Sequence, residues 1–141
     1  MFSRIAVAAL SAGLAFSAIA ETPNLQPGNW EHTSTVTFNS EFPIPDQSDT
    51  STNCITEEDI NNGDAFVQDM EECEVTHRDV RSDGMDYSLN CDSADGTSMT
   101  MEASLKFMGD SMEGTVNGDM ETPMGAMQMN VTMTGRRIGD C

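Results

Sequence analysis

Residues 97–120, TSMTMEASLKFMGDSMEGTVNGDM, show the clearest structural pattern in the sequence. From Met99 to Phe107 its odd positions are apolar and its even positions are polar. This period of two is typical of a half-buried β-strand. A Gly-Asp pair at 109–110 then predicts a tight turn, after which apolar residues and glycines continue on the even positions. The stretch therefore predicts an antiparallel hairpin in which Phe107 faces Met112.

The same register extends in both directions along the chain. Downstream, the odd positions of residues 127–133 are predicted to face the even positions of residues 114–120. Upstream, residues 73–91 predict a hairpin with a turn at 81–84 and a bulge at about 78–79. That bulge places Val80 opposite Met85 and His77 opposite Tyr87, and it leaves Cys73 opposite Cys91.

The first part of the chain predicts a strand, a loop and a helix. Pro27 and Gly28 open a strand whose even positions, from Trp30 to Phe38, point inward. The polar, Pro-rich residues 40–52 predict a loop, and a short strand follows at 52–55. Thr56 is positioned to cap a brief helix whose first turn is acidic, and residues 64–72 predict a second helical turn.

These patterns predict an all-β fold, a curved antiparallel meander or partly open barrel of about seven strands with one short helix and two disulfides. Residues 21–141 form one domain, because they are too few for two. The inward set forms either a filled core or a small cavity. The candidate apolar pocket consists of Trp30, Phe38, Tyr87, Met99, Met101, Phe107 and Met129.

Residues 1–20 have the features of a signal peptide: Arg4, an apolar run, and a small-x-small cleavage site ahead of Glu21. Export predicts a periplasmic or secreted protein whose four cysteines form disulfides. Register favours Cys73 with Cys91, which leaves Cys54 with Cys141 by elimination. The rival connectivity joins Cys54 to Cys73.

The net charge is strongly negative, with 24 acidic and 6 basic residues giving −18. Such a surface repels phosphate backbones and anionic lipid, which argues against nucleic acid as a partner and against electrostatic docking on a membrane. No run beyond the leader approaches the ~20 apolar residues of a membrane-spanning helix. Residues 92–96 place carboxylates near a glycine but lack the ligand spacing of a calcium loop.

Several landmarks occur together in this order: PGNWE at 27–31, Cys54-Ile55-Thr56 followed by acidic residues, Cys73, Cys91, Met-rich strands and a terminal GRRIGDC at 135–141. The combination resembles the bacterial domain-of-unknown-function family 3617, whose members are short exported proteins. The resemblance spans the whole chain after the leader. It implies a periplasmic or secreted bacterial protein and brings no activity, substrate or catalytic residue.

Methionine is the compositional outlier, with twelve in the chain. Thioethers suit Cu(I), and the pairs Met99/Met101 and Met127/Met129 each lie on one face of a strand, so a periplasmic copper binder is one alternative. Core packing explains the same positions, because flexible thioethers fill irregular gaps. Met108 and Met124 do not fall on the positions predicted to point inward, and they lie near loops. They are therefore the better candidates for copper ligands.

His32 and His77 are the only histidines, and both are predicted on the inward parity. A hydrolase-type enzyme would need them to converge with a carboxylate, and no other catalytic signature supports one. Arg136 and Arg137 are expected to pair with neighbouring carboxylates. The favoured interpretation is a non-enzymatic exported protein without a cofactor, which binds a small apolar ligand inside the sheet or a protein partner on its surface.

Overall fold

The computed structural model describes residues 21–62 and 72–141. The described chain forms one open antiparallel sheet in the order β2-β1-β7-β6-β5-β4-β3. The elements are β1 (Gly28–Asn39), β2 (Gln47–Ile55), α1 (Glu57–Asn62), β3 (Cys73–Val80), β4 (Gly84–Asp92), β5 (Ser98–Phe107), β6 (Ser111–Thr122) and β7 (Gly125–Gly139). The prediction of seven strands, one short helix and two disulfides is confirmed.

The registers of β5, β6 and β7 are those that the alternation predicts. Phe107 lies opposite Met112, and every inward pair up to Met99 with Met120 follows in step. On the other side of β6, Val116 faces Val131 as expected. Gly109 has a positive φ of 83°, a conformation that favours glycine, and it forms the turn between β5 and β6. We call the side that carries these apolar residues the inner face.

The bulge in β3 lies at a different place from the predicted one. The register shifts between Val75 and His77, at Thr76, and not at residues 78–79. Consequently His77 pairs with Ser88 instead of Tyr87 and is exposed on the outer face. Arg78 takes the inner position opposite Tyr87. The prediction that His77 points inward was therefore wrong, because an early bulge reverses the parity of the residue that follows it.

Strand β2 is longer than predicted, and the predicted loop at 40–52 is correspondingly wrong beyond residue 46. β2 is an edge strand, and every residue in it except Ile55 is exposed. Since water reaches both of its faces, its sequence carries no apolar alternation to reveal it. Thr56 caps α1 as predicted, because its hydroxyl accepts a bond from the Asp59 amide while the Asp59 carboxylate accepts one from the Thr56 amide.

The short helix α1 shows how strongly the sheet is curved. It begins two residues after the end of β2, and its last carbonyl, that of Asn62, accepts a hydrogen bond from Arg78 on β3 at 2.9 Å. β2 and β3 are the two edges of the sheet, about 29 Å apart if it were flat. The helix rises only about 9 Å over its length, so the edges must approach each other. The open sheet is therefore strongly curved, with α1 between its two edges.

One end of this curved sheet is covered by the segment that precedes β1. The Asn24 amide donates to the Ser82 carbonyl in the β3–β4 turn, and the Gly109 amide donates to the Asn24 carbonyl. Leu25 forms a parallel bridge with Gly109. The segment thus crosses two hairpin turns before it enters β1. We call this the packed end. Its buried cluster consists of Leu25, Trp30, Ile55, Ile60, Met85, Tyr87, Leu105, Phe107 and Met112.

The disulfides join Cys73 to Cys91 and Cys54 to Cys141, which confirms the connectivity favoured by register and removes the rival pairing of Cys54 with Cys73. The signal peptide predicted at residues 1–20 lies outside the described residues. Most of the second helical turn predicted at 64–72 lies there too, since residues 63–71 are not described.

Candidate functional site

The inner face differs in burial between its two ends. At the packed end Trp30 and Met85 have no exposed surface. At the opposite end most inner residues are only partly buried, although they belong to the same alternating set. We call this second region the methionine end. Its partly buried inner residues are Val36, Phe38, Met99, Val116, Met120, Met127, Met129 and Val131.

The residues of the candidate apolar pocket are divided between these regions. Trp30, Tyr87 and Phe107 belong to the buried cluster of the packed end. Met101 lies in a second, smaller cluster with Leu89 and Cys91, against which Met99 and Met129 pack. Phe38 is opposite Met129 in the β1–β7 register. The structure therefore places all seven on one face, but as two groups, and a cavity bounded by them stays a prediction.

Gly118 lies at the centre of the methionine end. It faces Met101 on β5 and Met129 on β7. A Cβ atom built at Gly118 would lie 3.5 Å from Met129 Cε and 3.6 Å from Met101 Cγ, so both side chains extend over the glycine at ordinary contact distance. The next row across the sheet pairs Met120 with Met99 on one side and with Met127 on the other. Register thus gathers five thioethers around one glycine.

Methionines 108 and 124, the stronger copper candidates by sequence, are not brought together. Met108 lies in the β5–β6 turn and Met124 in the β6–β7 turn, at opposite ends of the 12-residue strand β6. A strand of that length spans about 40 Å. Met124 is also 84% exposed. The two cannot contribute to one site.

The two histidines lie on opposite faces of the sheet. His32 is on the inner face of β1, where its ring stacks on Trp30 with centroids 6.2 Å apart. Burial lowers the pKa of the His32 imidazole, and a hydrogen bond with Asn53 opposes that shift. His77 is exposed on the outer face of β3, the far edge of the sheet. The structure does not assemble the pair that a hydrolase would use.

Arg136 and Arg137 are paired, as the sequence predicts. The Arg136 guanidinium contacts the Glu31 carboxylate across the β1–β7 pair at 2.8 Å. Arg137 contacts Asp140 and also donates from Nε to the Pro27 carbonyl at 2.9 Å. These bonds fix the tail against the start of β1.

Arg81 gathers the acidic side chains at the β3–β4 turn. It contacts Asp79 and donates to Asp86 at 2.8 Å, and Asp83 lies 3.4 Å away. Asp79 and Asp86 are directly opposite each other in the register, an unfavourable position for two like charges. The pKa of Asp86 is lowered by a hydrogen bond with Ser104 and by the bond with Arg81. Arg81 is thus a structural counter-charge for this hairpin.

The surface depressions found along the described strands are lined mainly by outward-facing polar residues. One, of about 540 Å³, lies where residues 39–41 approach the ends of β6 and β7 and includes Asp119, Glu121 and Gln128. Within residues 21–62 and 72–141, no three His, Cys, Asp or Glu side chains converge where they could hold a metal ion. In the same ranges, no helix is long and apolar enough to cross a membrane.

Residues 25–141 match the family model described as a protein of unknown function, DUF3617. The chain belongs to this family, as its sequence landmarks indicate. No curated protein and no solved structure matches it.

Proposed function

We propose that this protein is an exported, non-enzymatic binding protein that holds a small apolar molecule on the inner face at the methionine end. The proposal rests on the difference in side-chain burial between the two ends of the inner face. Side chains at the packed end are buried, whereas apolar side chains at the methionine end remain partly accessible. A face that folding leaves partly uncovered is available to a ligand.

The accessible apolar residues are contiguous across neighbouring strands. Val36 faces Val131, and Val131 faces Val116, so three strands present one continuous row. Phe38 and Met129 form the next pair on the same side. Such a surface is suited to an apolar molecule that lies against the sheet.

Among the described residues, the large apolar side chains that are exposed are scattered and provide weaker support for a protein partner. Phe42 and Met124 lie in loops, Met108 in a turn at the other end, Val75 on edge strand β3, and Ile138 near the end of β7. Single exposed apolar residues are ordinary features of protein surfaces.

The placement of His32 and His77 on opposite faces supports a non-enzymatic role. The two disulfides support an oxidising compartment and hence export.

The test is ligand retention together with probe binding. Native mass spectrometry of the purified protein should show a bound small molecule, and N-phenylnaphthylamine should fluoresce when it is added to ligand-free protein. Phe38→Ser should abolish that fluorescence because it replaces a large apolar side chain of the inner face with a small polar one. Phe42→Ser is the matched control, since the same change at a loop residue that is 65% exposed should leave the signal intact. A clean apo mass, with no probe binding, would overturn the proposal.

A further inference from the structure

Three methionines of the methionine end occupy one row across three adjacent strands. Met120 on β6 is directly opposite Met99 on β5 and directly opposite Met127 on β7. Side chains opposite each other in antiparallel strands have Cβ atoms about 4.5–5.5 Å apart. Each thioether has three rotatable bonds, so three sulfurs spaced in this way can converge on one point above Met120.

Packing alone accounts for two inner methionines of the packed end better than for this row. Met85 and Met112 are 0% and 3% exposed and belong to the buried cluster of the packed end. Met99, Met120 and Met127 are partly exposed. Thioethers that only filled gaps in a core would be enclosed like the first pair. The side chains of this row are instead partly exposed.

From this arrangement we infer that the protein binds one Cu(I) ion through the thioethers of Met99, Met120 and Met127, with Met101 and Met129 on either side of Gly118 as further sulfur donors. Thioethers are soft ligands that select Cu(I) over hard cations. All four cysteines are in disulfides, so no thiolate competes for the ion. The net charge of −18 also raises the concentration of cations near the protein.

This inference is independent of the proposed apolar ligand. The three principal copper donors, Met99, Met120 and Met127, lie in one row, whereas the apolar ligand depends on Val36, Phe38 and Val131 in the next two rows, the nearer of which holds the further donor Met129. Phe38→Ser should remove probe binding and leave copper binding intact. Replacement of the three methionines by leucine should have the opposite effect, because leucine preserves apolar volume and removes the sulfur.

The test is competition for Cu(I) under anaerobic conditions against bicinchoninate, whose Cu(I) complex is coloured. Wild-type protein should withdraw one equivalent, and the Met99→Leu, Met120→Leu, Met127→Leu variant should lose this ability. The control is the Met108→Leu, Met124→Leu variant, which removes two exposed thioethers at opposite ends of β6 and should behave like wild type. A thiol assay before each titration verifies that the disulfides are intact.

Two outcomes would overturn the inference: no withdrawal of Cu(I) by wild-type protein, or equal withdrawal by the triple variant. If the triple variant fails to fold, the single variant Met120→Leu and X-ray absorption of copper-loaded wild type decide the matter. Sulfur ligands in the absorption spectrum, together with weaker binding by Met120→Leu, support the site. A spectrum with only nitrogen or oxygen ligands refutes it.

Discussion

Alanine in place of Gly114 or Gly118 should have opposite consequences, although both glycines face inward on β6. A Cβ at Gly114 would lie 2.3 Å from Leu105 Cδ2 and 3.3 Å from Met133 Cγ. Normal carbon contacts are about 3.5–4.0 Å, so Leu105 would have to move by more than about 1 Å. Leu105 is 5% exposed and belongs to the packed cluster, which leaves it little room. We expect Gly114→Ala to cost about 1–3 kcal/mol of unfolding free energy.

Gly118→Ala should be neutral or stabilising by up to about 1 kcal/mol, because alanine restricts the unfolded chain and its Cβ fits at the methionine end. The nearest atom would be 3.5 Å away, an ordinary contact. The assay is urea unfolding with the disulfides intact, followed by the fluorescence of Trp30, the single and fully buried tryptophan. Equal destabilisation by the two substitutions, or a larger loss at Gly118, would refute the distinction between the two ends.

Two further predictions concern charge. The pKa of His32 is lowered by folding, so the unfolded chain takes up a proton at higher pH than the folded chain, and stability should fall as pH decreases through about 6.5. His32→Gln should flatten the pH dependence of the urea midpoint measured from pH 8 to pH 5. Identical profiles for this variant and the wild type would contradict the assignment. Arg81→Gln should leave Asp79 and Asp86 repelling each other, so the variant should gain stability as salt is added. Adding Asp79→Asn should restore wild-type stability in low salt, and no recovery would show that the repulsion is unimportant.

The sequence predicted the fold best for strands whose two faces lie in different environments, one buried and one exposed. The hairpin around Gly109 was predicted residue by residue because one of its faces is apolar and the other is polar and exposed to solvent. The start of β2 was missed because both of its faces are exposed. The bulge at Thr76 was misplaced because no glycine or unusual residue marks it, and one misplaced residue put His77 on the wrong face.

The candidate site was predictable as a set of inward residues but not as a partly open surface. Alternation assigns Met85 and Met129 to the same face equally well. The difference in their burial arises from contacts distant in sequence, such as the bridge between Leu25 and Gly109 and the bond from Arg78 to α1. Local pattern carries no information on which end of a sheet such segments cover.

The most direct test of the two-ended inner face is the rate at which each methionine is oxidised by dilute hydrogen peroxide in the folded protein, followed by peptide mass spectrometry. Met124 should react fastest, Met129 and the row of Met99, Met120 and Met127 at intermediate rates, and Met85 and Met112 slowest. Oxidation of Met85 as fast as that of Met120, or protection of the whole row to the level of Met85, would contradict the account.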